Sequence, residues 1–386
     1  MKPMNEMRDV VVAGIGLTRW GVYPDQEWYD FGSEAIFRAL KDAEMEWKDV
    51  QAAFCGSVYQ GTGSGHQAIR EVGLTGIPIV NVENACSSGS SAFRLAYQMV
   101  ASEIYDIVLA LGMEKMPRGP IPSTAFRPWE LVSGFNVQVA NYANETVEYM
   151  HNTGATLEDF ARVTVKNRKN GAMNPNARFQ KPVTIEEVMN SRVVATPLRL
   201  YHCCPLADGA SAIILCSRDK LKTKSRGITV AASVLASGVY GEGFLQGGSP
   251  ASLKYPPSLG IVELSVKQAY DIAGYGPEDM DLVQAYDTMA PAELWDIEKM
   301  GFCKTGEARH LLKEGVFDIN GRLPVNTDGG LMSRGHPLGA TGLAQICEIV
   351  SQLRGEAGPR QVERARIGLA HAMGAGPNSS VTILKR

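Results

Sequence analysis

Short apolar runs alternate with longer amphipathic stretches along most of the chain. Residues 10–14 and 107–113 are unbroken runs of apolar and small residues, which is typical of strands that are buried on both faces. Between such runs the apolar residues recur at helical spacing, as in the stripe formed by Phe31, Ala35 and Ala39. This alternation predicts an α/β protein.

The predicted elements form two similar sets. Strands are predicted at residues 10–14, 52–56, 77–83, 107–113, 210–217, 228–232, 282–287, 367–373 and 380–384. Helices are predicted at residues 31–43, 88–102, 263–273, 292–301 and 339–354. A stretch from about 117 to 205, rich in Pro, Asn and Arg, interrupts the first set. We therefore expect two βαβαββ halves, with residues 1–116 and 206–222 in the first, residues 223–386 in the second, and residues 117–205 as an inserted loop domain.

The composition narrows the functional classes. The 386 residues are 45% hydrophobic and 20% charged, which excludes disorder, collagen-like repeats and coiled coil. A net charge of −3 gives no bulk attraction to nucleic acid or to an anionic membrane. No stretch reaches the roughly 18 apolar residues that a membrane-spanning helix needs. The seven irregularly spaced cysteines predict neither a disulfide framework nor a zinc site, and a cytoplasmic location is the default expectation.

The strongest candidate for a reactive group is Cys86. It stands in Asn84-Ala85-Cys86-Ser87-Ser88-Gly89-Ser90, between a predicted strand and a predicted helix. The N-terminus of a helix favours an anion, so it would stabilise the nucleophilic thiolate form of the side chain. The alternative is a buried, unreactive cysteine, which is common in proteins.

Two glycine-rich segments supply further candidates. His336 lies in Gly335-His336-Pro337-Leu338-Gly339-Ala340-Thr341-Gly342, and a histidine held on a rigid loop is a suitable base for a thiol. The turn around Gly374, between the last two predicted strands, can offer backbone N–H groups to an oxyanion. The alternatives are a solvated loop histidine and an ordinary flexible hairpin.

Other motifs are weaker. Gly14-Ile15-Gly16 follows a strand, but Arg19 replaces the third glycine of a dinucleotide-binding motif, so a nicotinamide-dependent reductase is a distant alternative. The glycines of the segment 61–65 lack the Gly-Lys-Ser/Thr ending of a phosphate-binding loop. His202-Cys203-Cys204 could ligate a metal, but no partner pair has suitable spacing.

Taken in order, these motifs resemble those of the thiolase superfamily, and the resemblance covers essentially the whole chain. Several further segments are similar to the sterol-carrier-protein-type branch. They are Lys166-Asn167-Arg168, Met173-Asn174-Pro175, Cys203-Cys204-Pro205, Asp208-Gly209-Ala210, Leu353-Arg354-Gly355-Glu356-Ala357-Gly358, and His371 in place of the residue usual in other thiolases. The resemblance implies a five-layered αβαβα fold, with the inserted loop domain covering coenzyme A.

The resemblance also implies roles for individual residues. Cys86 would be the acylated nucleophile, and His336 would activate it and contact the thioester oxygen. The backbone N–H groups of Cys86 and Gly374 would form a second oxyanion hole. Cys204 would line the thioester channel. From the charge pattern of the insertion we further expect Lys166 and Arg168 to contact the phosphates of coenzyme A.

The chain departs from the family at the second catalytic cysteine. Ala372 stands where many thiolases have this cysteine, and Tyr286-Asp287-Thr288-Met289 replaces the His-Asp-Cys-Phe of the sterol-carrier branch. The acid that protonates the enolate is therefore not evident. The remaining candidates are His371, Tyr286 and His336. His371 is favoured because its ordinary pKa is nearest neutrality, and the Tyr286 phenol could donate a hydrogen bond in the oxyanion hole.

The expected function is that of a thiolase that cleaves a 3-oxoacyl-CoA with coenzyme A, an aromatic acyl group being one option. The alternatives are a retro-aldol lyase of the same branch and a non-catalytic thiolase-fold subunit. Coenzyme A is expected as a substrate, with no metal in this chain. The resemblance implies at least a homodimer and a small OB-fold, zinc-ribbon partner that would carry any zinc.

Overall fold

The computed structural model describes residues 8–119, 121, 128–134, 136–238 and 260–386. The strands are β1 Val10–Leu17, β2 Ala52–Gly56, β3 Ile79–Val82, β4 Ile107–Glu114, β5 Val193–Ala195, β6 Leu198–Arg199, β7 Gly209–Ser217, β8 Ile228–Ser237, β9 Leu282–Gln284, β10 Ile367–Gly374 and β11 Asn378–Lys385. The helices are α1 Trp28–Ala43, α2 Ser64–Val72, α3 Ser88–Ala101, α4 Pro128–Val132, α5 Gln138–Thr153, α6 Leu157–Gly171, α7 Ile185–Asn190, α8 Ile261–Ala273, α9 Ala290–Lys299, α10 Ala308–Lys313, α11 Gly330–Arg334 and α12 Leu338–Arg354.

Nine of the described strands pair in the order β3-β2-β4-β7-β1-β8-β11-β10-β9. The connection between the two halves is narrow, because β1 and β8 pair only through Val11 with Thr229 and Val12 with Ile228. On either side of this junction the strands pair over their full lengths, as β4 does with β7 and β8 does with β11. The arrangement is therefore two sheets, one in each half, that meet at a single short contact.

Helices cover both sheets and also separate them. Helices α1 and α2 pack on the outer face of the first sheet, and α8 packs on β8 and β11 of the second. Between the sheets lie α3 and α12, with α12 in contact with β4 of the first half and β10 of the second. These five layers confirm the predicted αβαβα fold. The first half additionally contains α2 and the edge strand β3, beyond a βαβαββ core.

The central layer depends on close approaches that only glycine allows. A Cβ atom on Gly112 would lie 2.3 Å from the carbonyl oxygen of Gly339, and one on Gly89 would lie 2.5 Å from the same atom. Because both distances are far below van der Waals contact, the first turn of α12 can touch β4 and α3 only without side chains there. The starts of α3 and α12, next to Cys86 and His336, are thereby brought together.

Every predicted strand and helix occurs, but β1 and β8 extend beyond their predicted ends to Leu17 and Ser237, and α2, α10 and α11 were not predicted. One predicted strand also ends early. The segment predicted as a strand at 282–287 leaves the sheet after Gln284, because the N–H of Ala285 donates to the Asn326 side chain at 2.9 Å. Gly14 and Gly16 serve packing, since a Cβ on either would lie 2.2 Å from a carbonyl oxygen of α1. Of the predicted insertion, the structure describes α4 to α7 and the β5–β6 pair, and the domain boundaries stay a prediction. Among the helices described, none is long and apolar enough to cross a membrane.

Candidate active site

A cavity of about 110 Å³ lies between the starts of α3 and α12 and the β10–β11 turn. Five of the residues singled out in the sequence line it together, namely Cys86, Cys204, Tyr286, His336 and Gly374. Thr288, Gln138 and Tyr142 line it as well and were not predicted as site residues by any motif. The structure thus brings together, around one cavity, residues from both halves and from the insertion.

Cys86 sits on a tight turn that leads into α3. Ala85, just before it, adopts a φ of 48°, a left-handed conformation that is costly for a residue with a Cβ. Two hydrogen bonds of Ser88 stabilise this turn: its hydroxyl accepts from the N–H of Asn84 at 2.9 Å and donates to the carbonyl of Ala85 at 2.6 Å. The side chain of Cys86 is thereby held in the cavity wall.

The thiol of Cys86 is protonated at neutral pH. Burial raises its pKa to about 11, although a hydrogen bond with Tyr286 and the backbone N–H of Cys86 itself act in the opposite direction. Desolvation therefore outweighs the stabilisation that the start of α3 gives to the thiolate. A base must remove the proton during the reaction.

The direction of the hydrogen bonds at His336 can be worked out from its neighbours. The Thr341 hydroxyl donates to the carbonyl of Pro337 at 2.9 Å, so it can only accept from Nδ1 of His336, 2.7 Å away. Burial lowers the pKa of His336 to about 3, so the ring is neutral and Nδ1 carries its one proton. Its Nε2 is consequently an acceptor, and the Tyr286 hydroxyl, 3.0 Å away, donates to it.

Tyr286 therefore stands between the nucleophile and the base. Its hydroxyl donates to Nε2 of His336, and it lies close enough to Cys86 to lower the pKa of the thiol. The three side chains therefore follow one another, from the thiol through the phenol to the imidazole. The sequence identified all three residues, but not that the phenol links the other two.

The turn that contains Gly374 packs directly against the turn of Cys86. A Cβ on Gly374 would lie 2.3 Å from the carbonyl oxygen of Asn84, so the two backbones touch. Asn378, paired with Gly374 across the hairpin, also donates to the carbonyl of Ala375 at 3.2 Å. This contact brings the backbone of the glycine turn next to the nucleophile.

A buried carboxylate that sequence reasoning missed ties the site together. Glu114, at the end of β4, accepts hydrogen bonds from the backbone N–H groups of Val58, Tyr59 and Gly339 and from the Gln60 side chain. Burial raises its pKa to about 7, against the effect of these donors. Its position as the last residue of a buried strand was the signal that could have identified it.

His371 does not line this cavity. Its ring is fully buried, with Nε2 3.2 Å from the Ser379 hydroxyl and Nδ1 3.6 Å from a carboxylate oxygen of Asp296. Burial lowers its pKa to about 3. The placement speaks against the predicted role of His371 as the acid/base, because the side chain faces the packed interior of the second half.

Lys166 and Arg168 are also interior residues, only 5% and 7% exposed. The Lys166 ammonium lies 2.9 Å from a carboxylate oxygen of Glu293 and donates to the carbonyl of Val325 at 2.8 Å. The Arg168 guanidinium lies over the ring of Phe179, 3.9 Å from its centre. The prediction that Lys166 and Arg168 contact the phosphates of coenzyme A is therefore not supported, because both side chains are buried and contact other groups inside the protein.

The cavity is continuous with an apolar groove of about 590 Å³. The groove shares Ile121, Gln138, Leu206 and Met289 with the cavity and adds apolar side chains such as Val139 and Leu200. Within the described residues, no group of three His, Cys, Asp or Glu side chains is arranged to hold a metal ion. A nucleophile, a base and an apolar approach are together what acyl transfer requires.

Comparison with known proteins identifies the family. Residues 10–219 match the family model described as thiolase, N-terminal domain, and residues 257–386 match the thiolase C-terminal domain-like model. The chain belongs to the thiolase family and is an acyltransferase of the thiolase type. The predicted fold class and enzyme class are both confirmed.

Individual relatives support this family assignment. The chain is 38% identical to an acetyl-CoA acetyltransferase of Methanothermobacter thermautotrophicus, with 98% of this chain and 100% of the relative covered. It is also 38% identical to the benzoylsuccinyl-CoA thiolase subunit BbsB of Thauera aromatica, covering 96% and 95%. Bovine sterol carrier protein 2 is 36% identical over 97% of this chain and 72% of its own length.

Solved structures agree with the fold. One, titled Ltp2-ChsH2(DUF35) aldolase, superposes with a TM-score of 0.86 at 29% identity and covers 98% of this chain and 97% of its own. Human mitochondrial 3-ketoacyl-CoA thiolase superposes with a TM-score of 0.72 at 18% identity, covering 98% of both chains. The second comparison bears on the fold alone.

Proposed function

We propose that this protein cleaves a 3-oxoacyl-CoA with coenzyme A, or runs the reverse condensation, through an acyl-enzyme on Cys86. The observation that carries the proposal is that Cys86, Tyr286 and His336 line one cavity, with the Tyr286 hydroxyl 3.0 Å from Nε2 of His336. Because the resting thiol is protonated, the reaction needs a base, and His336 can serve as that base through Tyr286.

The steps follow from this arrangement. The thiol proton of Cys86 passes to Tyr286 while the phenol proton passes to Nε2 of His336, and the thiolate attacks the 3-keto carbon. The backbone N–H groups of Cys86 and Gly374 stabilise the oxyanion. The bond between the 2- and 3-carbons breaks and leaves an acyl-CoA enolate, and coenzyme A then takes the acyl group from Cys86.

The apolar groove supports a bulky acyl group. Its volume of about 590 Å³ and its valine, leucine and methionine side chains suit an aromatic or long-chain substrate better than an acetyl group alone. One relative at 38% identity is named for benzoylsuccinyl-CoA, which is aromatic. We propose an aromatic 3-oxoacyl-CoA such as this one, bound beneath the loop domain of residues 117–205.

A partner subunit is part of the proposal. One relative is named as a subunit, and one structural neighbour is titled with a DUF35 component. We propose that the chain forms at least a homodimer and binds a small OB-fold, zinc-ribbon protein.

A retro-aldol lyase is the second candidate. It is favoured by the aldolase neighbour, which is 29% identical over nearly the whole chain. Such a reaction cleaves a 3-hydroxyacyl-CoA to a carbonyl compound and an acyl-CoA, and it forms no acyl-cysteine. The buried, hydrogen-bonded Cys86 argues for the thiolase reaction.

Mass spectrometry of trapped enzyme separates the two. Incubated with a 3-oxoacyl-CoA but no free coenzyme A, the enzyme should carry an acyl group on Cys86, and Cys86→Ser should lose several powers of ten in thiolysis rate. Cys303→Ser, which changes a cysteine outside the cavity and the groove, is the matched control and should retain the adduct and the thiolysis rate. Activity of Cys86→Ala on a 3-hydroxyacyl-CoA, without any adduct, would instead establish the lyase.

A further inference from the structure

Thiolytic cleavage leaves one proton unaccounted for. When the carbon–carbon bond breaks, the acyl-CoA enolate must take a proton at carbon, and neither Ala372 nor Thr288 can supply it readily. His371 faces the interior of the second half and not the cavity. The donor must therefore be another group that lines the cavity.

Cys204 is such a group, and it comes from the end of the insertion. Its Sγ lines the same cavity as Cys86 and lies 3.6 Å from the hydroxyl oxygen of Thr288. Thr288 is the residue that matches the cysteine of the sterol-carrier motif, so the Cys204 thiol occupies space beside that position. The position of Thr288 lacks a thiol, and Cys204 supplies one beside it from a neighbouring segment.

The backbone holds Cys204 there from two sides. Its N–H donates to the carbonyl of Thr288 at 3.0 Å, and the next carbonyl, that of Pro205, accepts from the N–H of His336 at 3.0 Å. Cys203 and Met289 form an adjacent antiparallel bridge. The segment is fixed between the loop of Tyr286 and the loop of His336, so the thiol has a defined position relative to both.

We propose that Cys204 is the catalytic acid that protonates the α-carbon of the departing acyl-CoA enolate, with Thr288 orienting its thiol. This assignment rests on the proposed thiolase function. Cys204 and Cys86 would then act as a pair, the first on the leaving carbon and the second on the acyl carbon.

Two observations favour Cys204 over the phenols of the cavity. The proton of Tyr286 is directed at Nε2 of His336, 3.0 Å away, and so does not point at substrate. Burial raises the pKa of Cys204, which keeps the thiol in its acid form, while the Thr288 hydroxyl lowers it and would stabilise the thiolate that forms. Tyr142 lies parallel to Trp295, with ring centres 6.4 Å apart, and is a competitor to test.

The protons balance over the cycle. The enolate carbon gains the proton of Cys204, and the resulting thiolate accepts the thiol proton of the incoming coenzyme A as that sulfur attacks the acyl-Cys86. Cys86 leaves as a thiolate and recovers its own proton from His336 through Tyr286. In the net reaction, one carbon–carbon bond and the sulfur–hydrogen bond of coenzyme A are broken, and one carbon–hydrogen bond and one carbon–sulfur bond are formed.

The decisive measurement is hydrogen exchange at the α-carbon of an acyl-CoA product in D₂O, followed by NMR. We expect Cys204→Ala and Cys204→Ser to lose exchange and overall thiolysis by about 10²-fold or more. Acylation of Cys86 by an acyl-CoA, measured as transfer to a second thiol, should stay within a few-fold of the unmodified enzyme. Cys303→Ser should leave both unchanged, because the partly buried Cys303 lines neither the cavity nor the groove.

The outcomes are distinct. Unchanged exchange in Cys204→Ser, or loss of exchange in Tyr142→Phe with Cys204→Ser unaffected, would overturn the assignment. Loss of Cys86 acylation in Cys204→Ser would also count against it, because the residue would then be structural. Failure of the thiolase proposal shows separately, as absence of an acyl adduct on Cys86 in the unmodified enzyme.

Discussion

The proposed nucleophile, Cys86, is a buried thiol whose raised pKa keeps it protonated at neutral pH. With a pKa of about 11, Cys86 gains thiolate roughly tenfold per pH unit between pH 7 and 10, so its reactivity in the free enzyme rises steeply with pH. In the proposed mechanism, the thiol proton of Cys86 is transferred to the neutral His336. Tyr286 lies between the two side chains, so this transfer depends on its hydroxyl.

Replacement of Tyr286 by Phe removes the link and keeps the ring. We expect acylation of Cys86 to fall by about 10²-fold or more, because the thiol loses its hydrogen-bond partner and Nε2 of His336 loses its donor. The pKa of Cys86 should rise further, since the hydrogen bond lowers it. Rapid-quench measurement of acyl-enzyme, with iodoacetamide alkylation as a function of pH, checks both expectations.

Thr341→Val provides the companion variant. It removes the acceptor that holds the His336 proton on Nδ1, so it should lower the acylation rate through the same hydrogen-bond chain. The double variant Tyr286→Phe/Thr341→Val should then acylate Cys86 at nearly the same rate as Tyr286→Phe alone, because both changes interrupt the same proton transfer. Fully additive effects, or a normal rate in Tyr286→Phe, would show that His336 acts on Cys86 without the phenol.

Among the elements, α6 is anchored by a buried polar network. Lys166 pairs with Glu293 of α9, and Asn167 donates to Glu293 at 2.7 Å and to Asp287 at 2.8 Å. Asp287 in turn accepts from the N–H of Leu331 at 2.8 Å. The network fixes the loop that carries Tyr286 and Thr288. Helix α6 therefore contributes to the site indirectly, by positioning this loop.

Lys166→Met should therefore act on stability. Removal of the ammonium leaves the Glu293 carboxylate buried without its cation, and we expect unfolding free energy to fall by about 3–5 kcal/mol. The KM for coenzyme A of the folded fraction should stay within about twofold. Urea unfolding and steady-state kinetics measure the two quantities.

The double variant Lys166→Met/Glu293→Gln is the control. It removes the unpaired charge, so it should recover part of the lost stability. A large rise in KM for coenzyme A, at normal stability, would restore the original assignment of Lys166 to the cofactor phosphates.

These elements also show what the sequence could predict. Buried strands such as β4 and β7 are recognisable because continuous apolar runs leave no alternative, and Cys86 and His336 stand in distinctive motifs at helix starts. The face on which His371 lies, and the partner of Lys166, 127 positions away, depend on tertiary packing. The hydrogen bond between Tyr286 and His336 is likewise invisible to local patterns, because it forms across two loops.

At the scale of the whole molecule, the two halves share one interior. The sheets touch only through the short β1–β8 contact, yet α12 is almost completely buried between them. Cys86 comes from the first half, whereas Tyr286, His336 and Gly374 come from the second. Folding of each half and assembly of the site are therefore coupled, since neither half can bury its side of the central layer alone.

A divided chain tests this coupling. A break between Lys222 and Thr223 lies in an exposed turn between β7 and β8 and cuts no strand or helix. We expect residues 1–222 and 223–386, expressed separately, to be insoluble or unfolded, because each would expose the apolar faces that α3 and α12 cover. Co-expressed, they should assemble and regain thiolysis, and size exclusion with circular dichroism measures the assembly. If either fragment alone gives a cooperative unfolding transition, the halves are independent domains, and the shared central layer does not control folding.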